Sequence, residues 1–65
     1  MEASTTAADL FERGYVLFHE GRYREALPLY LEAVKVGRAA NDAELYKYLL
    51  YLGACRQQLH EFEGL

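Results

Sequence analysis

The segment "GRYREALPLYLEAV", residues 21–34, decides the fold, because it has the spacing of a helix and yet contains a proline. A proline inside a helix costs about 3 kcal/mol, since it cannot donate to the carbonyl four residues earlier. The effect is smaller on a face that water reaches, and Pro28 shares its stripe with polar residues. The segment therefore predicts an amphipathic helix that begins just after Gly21 and continues to about Ala39. Its apolar stripe is Tyr23, Ala26, Leu27, Tyr30, Ala33 and Val34, and its polar stripe is Arg24, Pro28, Glu32 and Lys35.

A second helical pattern precedes this one and is predicted to run from about Thr6 to the residue before Gly21. Thr6 and Asp9 form a capping pair at its start. Gly21 supplies the left-handed residue that commonly ends a helix. The strict alternation of apolar and polar residues that is typical of strands is absent. We therefore expect a single all-α domain over residues 7–65, preceded by a disordered tail at residues 1–6.

The third helix is predicted to begin at Asn41 or Asp42, where Asn41 and Glu44 form another capping pair, and to run to about His60. Its first half is apolar nearly all round, a pattern that normally indicates burial on more than one side. Two preceding helices can cover only part of it. We therefore expect the remaining face to pack against a second copy of the chain, giving a homodimer or a higher closed oligomer. The residues expected on this self-association face are Leu45, Tyr48, Leu49, Leu52 and Leu59.

Two glycines mark an internal repeat. Gly53 follows Gly14 by 39 residues, and each glycine stands nine residues before an aromatic residue, Tyr23 or Phe62. The first unit resembles a tetratricopeptide repeat, and the chain would hold about one and a half such repeats. The positions that carry the resemblance are Gly14, Leu17, Gly21, Tyr23, Glu25, Ala26, Tyr30 and Ala33. The resemblance implies a three-helix fold, a helical hairpin plus one additional helix, with Gly14 at a close helix–helix approach.

The match is not complete, and a second family fits part of it. Arg13 and Arg38 stand where the repeat pattern prefers a large apolar residue and a proline, and Arg56 and His60 depart from it in the second unit. The run "YREALPLY", residues 23–30, also resembles the second helix of the three-helix microtubule-interacting-and-trafficking domain. That family has no need of the glycine spacing, so the tetratricopeptide resemblance is the stronger one.

No residue pattern indicates an enzyme, a cofactor or a metal. Cys55 lies in an apolar helix with no histidine at helical spacing, and it is expected to be a small core residue in a reducing compartment. His19 and His60 lack the spacing of zinc ligands. The formal net charge of −3 argues against a nucleic-acid partner, and no apolar run is long enough for a membrane span. With no secretory leader, the chain is expected to be cytoplasmic.

The function expected is therefore non-enzymatic protein–protein interaction, by binding of a protein or peptide partner on an apolar helical surface. In the tetratricopeptide fold the first helix of each repeat lines the concave surface. By resemblance, the partner-binding residues are Phe11, Tyr15, Phe18 and His19 from the first helix, with Leu50, Ala54 and Gln57 from the third. Two alternatives stay open. The same rings can be core, and the domain can serve structural self-association instead.

Overall fold

The computed structural model describes residues 6–63, and side chains from residue 6 to residue 61. Within that range the chain forms three helices and no strand: α1 Ala7–His19, α2 Tyr23–Ala39 and α3 Leu45–Glu63. The all-α, three-helix prediction is confirmed. Helix α2 packs on both α1 and α3, so it is the central element. Of the tail expected at residues 1–6, only Thr6 is described.

The predicted ends of α1 are confirmed. The Thr6 hydroxyl accepts a hydrogen bond from the Asp9 backbone N–H at 3.1 Å, as an N-cap residue does. Gly21 has φ +80°, in the left-handed region. The N–H groups of Gly21 and Arg22 donate to the carbonyls of Phe18 and Leu17 at 3.0 and 2.9 Å. This is the Schellman pattern, which satisfies the last carbonyls of α1 and turns the chain into α2.

Of the two predicted starts of α3, Asn41 is wrong, because it ends α2 instead of capping α3. Asn41 has φ +56°, and the Asp42 N–H donates to the Gly37 carbonyl at 2.9 Å, which repeats the left-handed ending seen at Gly21. The cap belongs to Asp42, whose carboxylate accepts from the Glu44 N–H at 2.9 Å. The two residues after Asp42 form a turn, closed by the Leu45 N–H donating to the Asp42 carbonyl at 3.1 Å, and regular helix begins at Leu45. Asparagine tolerates both roles, and spacing alone does not separate them.

Asp42 also binds Tyr48 on the buried side of α3. Its second carboxylate oxygen accepts a hydrogen bond from the Tyr48 hydroxyl at 3.0 Å. The Tyr48 ring lies against Gly37, where a Cβ atom would come 3.2 Å from two ring carbons. Gly37 was not singled out from the sequence, although it gives Tyr48 its place between α2 and α3.

Asp42→Ala is expected to lower the free energy of unfolding by about 1–3 kcal/mol, because the cap and the Tyr48 hydrogen bond are lost together. Tyr48→Phe, which removes the hydrogen bond alone, is the matched control and should cost about 0.5–1.5 kcal/mol. Urea unfolding at neutral pH measures both. Equal losses in the two variants would mean that the Asp42 cap contributes nothing.

Pro28 lies inside α2 and is exposed, as its polar stripe predicts. In Pro28→Ala the new N–H can donate to the Arg24 carbonyl, so we expect the free energy of unfolding to rise by about 1 kcal/mol. Thermal unfolding followed by circular dichroism measures the change. A lower melting temperature would show that the proline stabilises the fold by restricting the unfolded chain.

The core is built from small and aromatic residues that interlock. Ala26, Tyr30 and Ala33 of α2 are fully buried. A Cβ atom at Gly14 would lie 2.9 Å from two carbons of the Tyr30 ring, so α1 can approach α2 this closely only with glycine at position 14. The buried apolar core residues are Ala7, Leu10, Phe11, Ala26, Tyr30, Ala33, Val34, Tyr48, Leu52 and Cys55.

Candidate partner-binding surface

Phe11 was expected to face a partner, and the structure corrects this. The Phe11 ring is only 8% exposed. The rings of Tyr48 and Tyr51 lie with their centroids 5.2 and 5.1 Å from it, and the Lys47 ammonium lies 5.1 Å from its centroid. Helix α3 therefore covers Phe11, which joins α1 to α3 as a core residue.

The rest of the predicted α1 set reaches the surface. Tyr15 is 40% exposed, Phe18 is half-buried and His19 is exposed. The centroids of the Tyr15 and His19 rings are 4.3 Å apart, and those of Phe18 and His19 are 5.6 Å apart, both edge to face. These three side chains form one continuous ring cluster at the C-terminal half of α1.

Tyr51 is the α3 residue that meets this cluster, and sequence reasoning missed it. Its ring centroid lies 5.7 Å from that of Tyr15 and 6.1 Å from that of Phe18. The repeat resemblance selected Leu50 instead, one position away, which is rotated by about 100° on the helix. The signal was available, because Tyr51 lies three residues after Tyr48 on the buried side of α3.

The three α3 residues predicted to bind a partner fall at different depths. Ala54 is half-buried and lies one turn beyond Tyr51, whereas Leu50 and Gln57 are exposed and rotated further from α1. We call the surface between α1 and α3 the aromatic surface. It consists of Tyr15, Phe18, His19, Tyr51 and Ala54.

A buried hydroxyl without a hydrogen-bond partner lies beneath the aromatic surface. Tyr30 is fully buried, and no described residue accepts from or donates to its hydroxyl. Burial raises the pKa of this hydroxyl, and electrostatic coupling to Cys55, Tyr51 and Tyr15 raises it further. The Tyr30 ring centroid lies 5.5 Å from that of Phe11 on α1 and 6.1 Å from that of Tyr51 on α3, so Tyr30 lies between these helices. An unpaired buried polar group costs about 1–3 kcal/mol, so this hydroxyl lowers the stability of the free chain.

The self-association face expected on α3 is also corrected. Tyr48 and Leu52 are 1% and 9% exposed because they pack on α2 within the same chain. Leu45 and Leu59 are half-buried, and only Leu49 of the five predicted residues is exposed. The apolar side chains that α3 does expose lie on its opposite side. We call that side the outer face of α3, and it consists of Tyr46, Leu49, Leu50 and Gly53.

Cys55 lies in the core, with its side chain fully buried. Its thiol donates to the Tyr23 carbonyl at 3.3 Å, and burial raises the pKa of the thiol. A buried, protonated thiol is a poor nucleophile. Among residues 6–63, no group of three or more potential ligands is arranged to hold a metal ion. No helix in the described part of the chain has the length and apolarity needed to cross a membrane.

Comparison with protein-family models, with curated proteins and with solved structures found no match. The tetratricopeptide resemblance therefore stays a prediction.

Proposed function

We propose that this chain is a non-enzymatic protein-interaction module that binds a polypeptide segment on the aromatic surface. The observation that carries the proposal is the unpartnered Tyr30 hydroxyl beneath exposed rings. Aromatic side chains that are partly exposed bury large apolar areas on binding at low entropic cost, and they are enriched at interface centres. A polypeptide supplies both an apolar side chain for the rings and carbonyl acceptors for the hydroxyl.

Tyr15 is the side chain that controls access to the hydroxyl. Its ring centroid lies 5.8 Å from that of Phe11 and 5.7 Å from that of Tyr51, two rings that contact Tyr30, and it is more exposed than Tyr51. In the proposed complex, its ring rotates toward solvent and gives the ligand access to the hydroxyl between α1 and α3. The ligand that fits is an apolar or aromatic residue whose own carbonyl, or that of a neighbour, accepts from Tyr30. The lining is largely uncharged, so the ligand needs no strong charge of either sign.

The proposal is tested by selecting peptides from a displayed random library against the immobilised chain. We expect enriched sequences to share an apolar or aromatic anchor and to lose binding in Tyr15→Ser. Leu31→Ser is the matched control, because Leu31 is 41% exposed and lies on α2, whereas α1 and α3 form the aromatic surface. A library that yields no enriched sequence, or peptides that bind Tyr15→Ser and Leu31→Ser equally well, would overturn the proposal.

The effect of the unpaired Tyr30 hydroxyl on the free energy of unfolding can be measured without a ligand. Tyr30→Phe retains the ring against Gly14 and removes only the unpaired group, so the free energy of unfolding without ligand should stay equal or rise by about 1 kcal/mol. Chemical denaturation at neutral pH checks this. A loss of stability would show that the hydroxyl has a partner in the folded chain, such as a buried water.

A second candidate function is self-association. It is favoured by the exposed outer face of α3, which no part of residues 6–63 covers.

A further inference from the structure

The outer face of α3 contains both halves of a contact that the chain makes twice in its own core. In the core, the Tyr30 ring lies on Gly14 and the Tyr48 ring lies on Gly37. On the outer face, Tyr46 is 67% exposed. Gly53 has open space, since a Cβ atom there would meet no atom within 4 Å in the described structure. Each of these two residues therefore lacks the kind of neighbour that the other provides.

Tyr46 and Gly53 cannot contact each other within one helix. They are separated by seven residues, or about 10.5 Å along the axis, on the same side of α3. In an antiparallel pair of α3 helices with the twofold axis between Leu49 and Leu50, each Tyr46 falls on the Gly53 of the other copy. Leu49 of each copy then meets Leu50 of the other. Such a contact is self-complementary, as a twofold interface requires.

We propose that two copies of this chain associate through the outer face of α3, with Tyr46 of each copy packed on Gly53 of the other. The charges agree with this arrangement. Arg56 is exposed and makes no ion pair with any residue in the described range. In the antiparallel pair it lies opposite the turn of the other copy that carries Asp42 and Glu44. Lys47 pairs with Glu44 there, so the turn keeps one net negative charge for Arg56.

The outer face of α3 is small for a dimer interface. Helix α3 has 19 residues. It is therefore about 28 Å long and about 10 Å wide, which gives a contact of about 300 Å² per copy. A standard stable interface buries about 800 Å² per partner, so the dimer should be weak. Association at that level is reversible and depends on local concentration.

Sedimentation equilibrium of the whole chain tests the contact. The average mass should rise with concentration from 7.5 kDa toward twice that value. Tyr46→Ser and Gly53→Gln should each weaken association at least about tenfold, because each removes or fills one half of the contact. Both positions are exposed, and circular dichroism should show both variants as helical as the parent. Leu31→Ser is the matched control and should associate like the parent chain.

Mixing the two variants gives the decisive result. In a mixed dimer, Tyr46 of the Gly53→Gln chain still meets Gly53 of the Tyr46→Ser chain. At the other contact, the space left by the lost ring receives the glutamine. An equal mixture should therefore have a higher average mass than either variant alone. A parent chain that stays at 7.5 kDa up to about 1 mM would overturn the proposal. So would variants that associate normally, or a mixture no heavier than its components.

Discussion

Gly14→Leu is expected to leave most of the molecules unfolded at room temperature. A Cβ atom at this position already comes 2.9 Å from the Tyr30 ring, and Tyr30 is fully buried, so the ring has no space to move into. Overpacking of this kind costs about 1–3 kcal/mol per misfit and more for a branched side chain. A domain this small rarely has more than about 3–5 kcal/mol of stability to lose. Circular dichroism and urea unfolding measure the effect.

Gly53 provides the matched control, because the sequence spacing pairs it with Gly14 and yet it faces open space. Gly53→Ala should stabilise the monomer by about 0.5–1 kcal/mol through helix propensity. Gly14→Ala should be destabilising despite the same gain. The comparison belongs at low micromolar concentration, where the proposed dimer is dissociated. If both alanine variants shift the free energy of unfolding equally, the close approach of α1 and α2 is wrong.

Alkaline pH is expected to unfold the chain cooperatively. Burial raises the pKa of Tyr30, Tyr48 and Cys55 above their ordinary values of 10.0, 10.0 and 9.0, and the Asp42 carboxylate raises that of Tyr48 further. Above those values the unfolded chain has released protons that the folded chain still holds. Stability is therefore complete below about pH 9 and falls as the pH rises. Each fully buried group that stays protonated removes about 1.4 kcal/mol per pH unit.

Urea unfolding from about pH 8 to 11 measures this loss, and tyrosinate absorbance shows when the buried tyrosines ionise. Tyr30→Phe and Tyr48→Phe should each make stability fall less steeply above pH 10. Cys55→Ser should likewise make stability fall less steeply between pH 9 and 10. Ionisation of every tyrosine near pH 10 in a chain that remains folded would contradict the burial of Tyr30 and Tyr48.

The helices could be predicted from the sequence because their signals are local. Thr6 and Gly21 define the ends of α1 through bonds to residues within five positions, and the exposure of Pro28 follows from its stripe. The prediction that α3 starts at Asn41 was wrong because the local signal at that residue is ambiguous. Asn41 suits both a helix end and a helix start, and only the chain direction after α2 decides between them.

The surfaces were harder to predict because they depend on how far α3 is rotated against α1. When a helix is apolar nearly all round, its hydrophobic pattern does not identify the side that faces the core. The sequence of α3 therefore does not show which leucines and tyrosines are buried. An error of one position led to the prediction of Leu50 where the structure has Tyr51 on the aromatic surface. Likewise, the sequence places Tyr48 on an uncovered face, whereas its ring is buried against Gly37 across the turn.

The affinity of a selected peptide for the parent chain and for Tyr30→Phe tests the proposed function most directly. A hydrogen bond from the buried hydroxyl to the ligand contributes about 0.5–1.5 kcal/mol. Isothermal titration calorimetry should therefore show about two- to tenfold weaker binding by Tyr30→Phe, with its fold intact. Equal affinity in the two chains would contradict the account, because the unpartnered hydroxyl would then have no part in binding.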